Sequence, residues 1–148
     1  MDRYPNVPDG EILRRRSAVQ GGLQKRGIDG LLVTQPADLL YLTGKVPEGF
    51  LYLPAQGDPL PFPRGSTGSS TGPLVRAKAF LLDTGGPLPG VLGLELDVLS
   101  VQAYAALRRA FRGSRIVDES KSLLDARRIK SDWELGRMDR LAERTRET

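Results

Sequence analysis

The chain has 148 residues with 22 Lys and Arg against 18 Asp and Glu, a net charge of +4, and 39% of it is hydrophobic, enough for one folded domain but not for two independent cores. It contains no Cys and no His, which removes disulfides, thiolate metal sites and the commonest general base and metal ligand together. The basic clusters Arg14-Arg15-Arg16, Arg108-Arg109 and Arg127-Arg128 are scattered among acidic residues without interleaved aromatics, so nucleic acid is not an expected partner.

Asp9 after Pro8 is placed as an N-cap, and Glu11 to Arg26 carries Ile12, Val19 and Leu23 near one face of a helix, with the Arg triplet on the others. Gly27 behind Lys25-Arg26 stops it. The apolar run Ile28 to Thr34 then reads as a buried strand, and Ala37 to Leu42 as one or two helical turns with Asp38 near their start. Phe50 to Leu53 and Pro59 to Phe62 flank a turn and predict a hairpin, whose second strand must lie at an edge or be absent because of Pro61 and Pro63.

Residues 64–73 are rich in Gly, Ser and Thr and are expected to form a flexible surface loop. Val75 to Ala79 alternates apolar and basic residues before Phe80-Leu81-Leu82, the pattern of a half-buried strand. Asp83 to Gly90 is a turn-rich connection. Val91 to Leu96 predicts a strand, Ser100 to Phe111 a helix and Arg115 to Val117 another strand. Ser120 can cap a short turn, and Ser131 with Glu134 forms a capping box before a helix that carries Leu135, Met138 and Leu141 to the end of the chain.

The fold class expected from this order is α/β: a three-layer domain with a mixed sheet of about five strands flanked by helices. No stretch approaches the roughly 18 apolar residues of a membrane span, and the start Met-Asp-Arg-Tyr-Pro has no apolar leader, so no membrane partner and a cytoplasmic location are expected.

Candidate chemistry is sparse. Gly68-Ser69-Ser70-Thr71-Gly72 matches the G-x-S-x-G pattern of a serine nucleophile, but prolines surround it and no His exists to serve it. Glu95 and Asp97 share one side of a strand end, with Asp118 and Asp125 as the nearest further acids, and solvated or capping carboxylates explain them better than a cation site. Trp133, at a helix start, is expected to pack the first turn against the domain. Leu135, Met138 and Leu141 form a stripe that must pack back on the domain or meet a partner.

Two blocks resemble the creatinase/prolidase amino-terminal domain found in Xaa-Pro aminopeptidases and Xaa-Pro dipeptidases. The first is Arg26 to Gly44, with Tyr41-Leu42-Thr43-Gly44 at its end. The second runs from Leu94-Glu95-Leu96 through Tyr104 and Asp118 to Arg128-Ile129-Lys130-Ser131-Asp132-Trp133-Glu134-Leu135 and Met138. Residues 61–89 depart from the pattern, which points to an altered segment in a degenerate or truncated gene.

The resemblance implies residues 1–130 as the amino-terminal domain and 131–148 as the start of a linker helix toward an absent catalytic domain, where two divalent metal ions would activate water. It implies that this chain has no catalytic or metal-ligating residue, needs no cofactor and is no enzyme by itself. Its implied role is subunit association and the shaping of a neighbouring active site, with a homodimer or the missing catalytic domain as partner. Asp38 and Tyr41 are the candidate substrate-rim residues, and Leu135, Met138 and Leu141 the candidate interface. Two other readings stand beside it, a fragment of an active metal-dependent peptidase and a small-ligand-binding domain near Asp38 and Tyr41.

Overall fold

In a computed structural model, residues 6–45, 49–63, 74 and 76–147 are described. The elements run α1 (Asp9–Lys25), β1 (Gly30–Val33), α2 (Pro36–Thr43), β2 (Gly49–Pro54), β3 (Leu60–Pro63), α3 (Ala77–Asp83), β4 (Val91–Leu94), α4 (Val101–Ala110), β5 (Arg115–Asp118), α5 (Ser120–Arg128) and α6 (Asp132–Arg146). The five strands form one mixed sheet in the order β3-β2-β1-β4-β5. β1, β4 and β5 are parallel neighbours, whereas β2 and β3 fold back as an antiparallel hairpin on the other flank.

The period of two along each strand divides the core into two layers. Leu31, Val33, Leu51 and Leu53 point to the side covered by Val19 and Leu23 of α1, Leu39 and Leu42 of α2 and Leu123 of α5. Leu32, Phe50, Tyr52, Leu92 and Leu94 meet Leu81 of α3 and Leu107 of α4 on the opposite face. Leu31-Leu32-Val33 is apolar without a break because both faces of β1 are covered, as in parallel sheets generally. The α/β class, the three layers and the mixed five-stranded sheet agree with the expectation.

The hairpin takes the edge position that Pro61 and Pro63 require, with Phe50 opposite Phe62 and their ring centroids 5.7 Å apart. Of the strand expected at residues 75–82, residues 77–82 belong instead to α3. Leu74, Ala77 and Leu81 are buried at helical spacing, and Phe80 reaches Phe62 with a 5.0 Å centroid separation. Five alternating residues mimicked a strand, but the burial repeats every three to four positions.

Two caps also differ. Pro8 occupies the N-cap of α1, so Asp9 is the first helical residue and complements the positive helix end without bonding to it. Ser120 begins α5 and does not cap it; its hydroxyl donates to Asp118 and accepts from the Asp97 N–H. Strand β4 stops at Leu94, two residues before its expected end. The expected loop at 64–73, with the G-x-S-x-G match inside it, lies outside the described residues. None of the helices among the described residues is long and apolar enough to cross a membrane.

Candidate functional site

The helical layer formed by α1, α2, α5 and α6 encloses a crevice of about 610 Å³, lined by apolar Leu40, Met138 and Leu141, aromatic Tyr41 and Trp133, and cationic Arg15, Arg127 and Arg137. Its geometry starts from one residue of the arginine triplet. Arg15 falls three residues after Ile12 and four before Val19, and so lies on the buried stripe of α1 at 5% exposure.

A buried guanidinium needs every N–H directed at an acceptor. Arg15 Nε donates to Glu11 at 2.9 Å, Nη1 to the Tyr41 carbonyl at 3.0 Å and Nη2 to Glu134 at 3.1 Å. The guanidinium also sits 4.4 Å from the Tyr41 ring centroid and 5.6 Å from that of Trp133. One side chain thereby joins α1, α2 and the first turn of α6.

Ser131 completes the junction. Its hydroxyl donates to Glu11 at 2.8 Å and accepts from the Glu134 N–H at 3.2 Å, while Glu134 Oε2 accepts from the Ser131 N–H at 2.8 Å. The capping box read from the sequence is present and is tied to α1 as well. Hydrogen bonds from Arg14 above all, then from Ser131 and Arg15, hold the Glu11 carboxyl down at about 2 against the opposing effect of burial. Ser131→Ala is expected to cost about 1–2 kcal/mol, read as a lower urea midpoint, because it removes the helix cap and one donor to Glu11 together.

Of the candidate rim residues, Tyr41 lines the crevice and donates its hydroxyl to the Ala126 carbonyl at 3.0 Å, and burial raises its ionisation above the ordinary tyrosine range. Asp38 is turned inward, with its side chain only 3% exposed and paired to Arg127 at 3.1 Å. Met138 and Leu141 line the crevice, and Leu135, Met138 and Leu141 are 47%, 54% and 56% exposed. Trp133 is half-buried between Arg15 and Arg137.

Sequence reasoning missed Arg15, and it singled out Glu95 only beside Asp97, without its burial against the start of α2. The position of Arg15 on the Ile12–Val19–Leu23 stripe was the available signal for the first; for Glu95 it was an acid directly after the buried strand. Glu95 is 1% exposed and accepts from the Thr34 and Gln35 N–H groups at 2.6 and 3.0 Å. The expected side-by-side display of Glu95 and Asp97 is not a cation site. One Glu95 oxygen is committed to the start of α2, and no group of three or more acids that could hold a metal occurs among the described residues. No Ser, Thr or Cys is among the described residues that line the crevice. Its lining mixes exposed apolar Met138 and Leu141 with the cations Arg15, Arg127, Lys130 and Arg137 and the acid Glu134.

A mixed five-stranded sheet between two helical layers, with a helix-walled crevice on one side, defines the class as a three-layer α/β domain. A family model for the creatinase/prolidase N-terminal domain matches residues 15–129, through the departing 61–89 segment, and the chain belongs to that family. Among solved structures, the N-terminal domain of the cytoplasmic peptidase PepQ from Mycobacterium tuberculosis is 20% identical with a TM-score of 0.60, covering 76% of this chain and 98% of that one. An Xaa-Pro aminopeptidase from Streptococcus pyogenes is similar at 20% identity and a TM-score of 0.64, over 80% of this chain and 99% of that one. The Xaa-Pro dipeptidase from Bacillus anthracis gives 17% identity and a TM-score of 0.65, with 84% of this chain covering 38% of that protein. No curated protein matches.

Proposed function

We propose that these 148 residues act by association, as a non-catalytic domain of an Xaa-Pro peptidase-like protein that joins subunits and shapes a neighbouring active site. The metal-dependent catalytic unit it serves lies elsewhere in the polypeptide or in a partner subunit. The observation that carries this reading is the exposed stripe Leu135, Met138 and Leu141 on a helix whose first turn is pinned by Arg15 and Ser131. Rigid presentation of an apolar stripe lowers the entropic cost of binding to it.

The reading is supported on the chemical side by the absence of His and Cys, which removes the commonest general base and the soft metal ligands. Tested with Xaa-Pro dipeptides and added manganese, the purified chain is expected to release no amino acid; measurable turnover would establish the competing enzyme reading. Met138→Glu is expected to weaken self-association or binding of the catalytic unit by at least about tenfold in sedimentation, since a carboxylate on the stripe must be desolvated in the complex. Unchanged association would remove the stripe from the interface.

A further inference from the structure

Glu95 presents an unresolved account of its own oxygens. Oε2 has three donors, the Thr34 N–H, the Thr34 hydroxyl and the Gln35 N–H, and so anchors the start of α2 to the end of β4. Oε1 is completely buried and has no hydrogen-bond partner. Asp38, in the first turn of α2, brings a second carboxyl within hydrogen-bonding reach of Glu95, and Asp38 is itself 2% exposed. Two acceptor-only groups facing each other in a dry place cannot both be ionised without a large penalty.

A single proton resolves the arrangement. Placed on Glu95, it turns an acceptor-only group with one orphaned oxygen into a donor beside the second carboxyl. The proton is placed on Glu95 because Arg127 lies 3.1 Å from Asp38, whereas no cation among the described residues is bonded to Glu95. We propose that Glu95, when protonated, donates a hydrogen bond to Asp38, closing a proton-dependent clasp between β4 and α2 that fixes the crevice wall through Arg127. The clasp stands on its own geometry; its bearing on the crevice rests on the association reading above.

Glu119, the buried carboxylate packed against Gly93 of β4, is taken up by Arg26. Asp38 comes from α2 itself and Arg127 from α5. Arg15, on α1, is occupied by Glu11, Glu134 and the Tyr41 carbonyl. Asp118, at the end of β5, is engaged by Ser120, whose hydroxyl also holds the Asp97 N–H. Burial is the largest influence on Glu95 and Asp38 adds to it, raising the carboxyl to about 7 from an ordinary 4.5. A raised carboxyl stabilises the fold fully below its ordinary range, and that contribution is lost as pH rises through about 7. With no His and no Cys in the chain, no other side chain ordinarily titrates in that interval.

The experiment follows the side-chain carboxyl carbons of the full chain by NMR across the pH range, together with the fluorescence of Trp133, the single tryptophan and a lining residue of the crevice. One glutamate midpoint near 7 is expected, missing in Glu95→Gln, with a matching emission change that this variant lacks. The wild-type folding equilibrium constant is expected to fall by tens of fold between about pH 5 and pH 8, while that of Glu95→Gln stays level. Asp38→Asn is expected to lower the Glu95 midpoint by about one unit, which tests the pair should Glu95→Gln fail to fold. Glutamate midpoints all in the ordinary range would overturn the clasp. A Glu95 midpoint near 7 with pH-independent Trp133 emission would overturn its link to the crevice. Loss of the association reading is scored separately by sedimentation and leaves these titrations unchanged.

Discussion

Replacing Arg15 by methionine is expected to cost about 3–5 kcal/mol of folding free energy, the range for breaking a buried ion pair from one side. Methionine fills a similar volume along the stripe between Ile12 and Val19, so the loss is electrostatic. Glu11 and Glu134 have side chains only 8% and 15% exposed and would face each other without the cation between them, while the Tyr41 carbonyl would lose its donor. Arg14 is 46% exposed and offsets part of the charge on Glu11, but it does not reach Glu134 through any hydrogen bond in the network. The cost should therefore fall on the α1–α6 junction.

Urea denaturation of Arg15→Met against Arg15→Met/Glu134→Gln tests this, because neutralising Glu134 should recover a third or more of the loss. A single variant within about 1 kcal/mol of wild type would show that water already solvates the junction. Acid adds an independent reading. The stabilisation carried by Glu11 is present above its ordinary 4.5 and disappears as pH falls through about 2. In Arg15→Met that acid-sensitive interval should shrink without vanishing, since Arg14 is the leading cause of the depression.

How far the sequence displayed this arrangement depends on the length scale of the signal. Leu31-Leu32-Val33 announced a strand covered on both faces, the two prolines of β3 announced an edge, and Ser131 with Glu134 announced the cap of α6; each is a local pattern with a local cause. Helix α3 was hidden because Arg76-Ala77-Lys78-Ala79 alternates in polarity, while its burial is decided by Phe62 and the sheet below it. Arg15 differs from Arg14 and Arg16 only in its phase on the helix, so its partner Glu134, more than a hundred residues away, could not be read from the triplet. Glu95 and Asp38 meet only because β4 lies beside β1 and α2 starts where β1 ends. The resemblance in Arg26 to Gly44 and Arg128 to Met138 marked both sides of the crevice. It did not reveal the carboxyl pair behind it.

Gly30→Ala is the second substitution with a large expected effect, about 3 kcal/mol, at the upper end of the usual cost of overpacking. Gly30 begins the central strand, pairing with Pro54 of β2 on one side and Leu92 of β4 on the other, so its backbone has no free edge to move toward. The ring of Tyr52 lies across it. A methyl group at Gly30 would overlap the Tyr52 hydroxyl, Cζ and Cε2, well inside van der Waals contact. Tyr52 is 7% exposed and packs in the layer with Leu81 and Leu92, and burial, followed by nearby Asp29, raises its hydroxyl to about 12.

Tyr52→Phe should not relieve the clash, because the ring carbons remain. Gly30→Ala/Tyr52→Leu should recover most of it, giving a double-mutant cycle with a coupling of about 2 kcal/mol. Additive losses would instead mean that β1 shifts along the sheet to admit the methyl. Such a shift would carry the Thr34 and Gln35 N–H groups away from Glu95, so the Glu95 titration of the single variant distinguishes the two responses. A local clash leaves the midpoint near 7, whereas a sliding strand removes two donors to the ionised carboxyl and moves the midpoint higher.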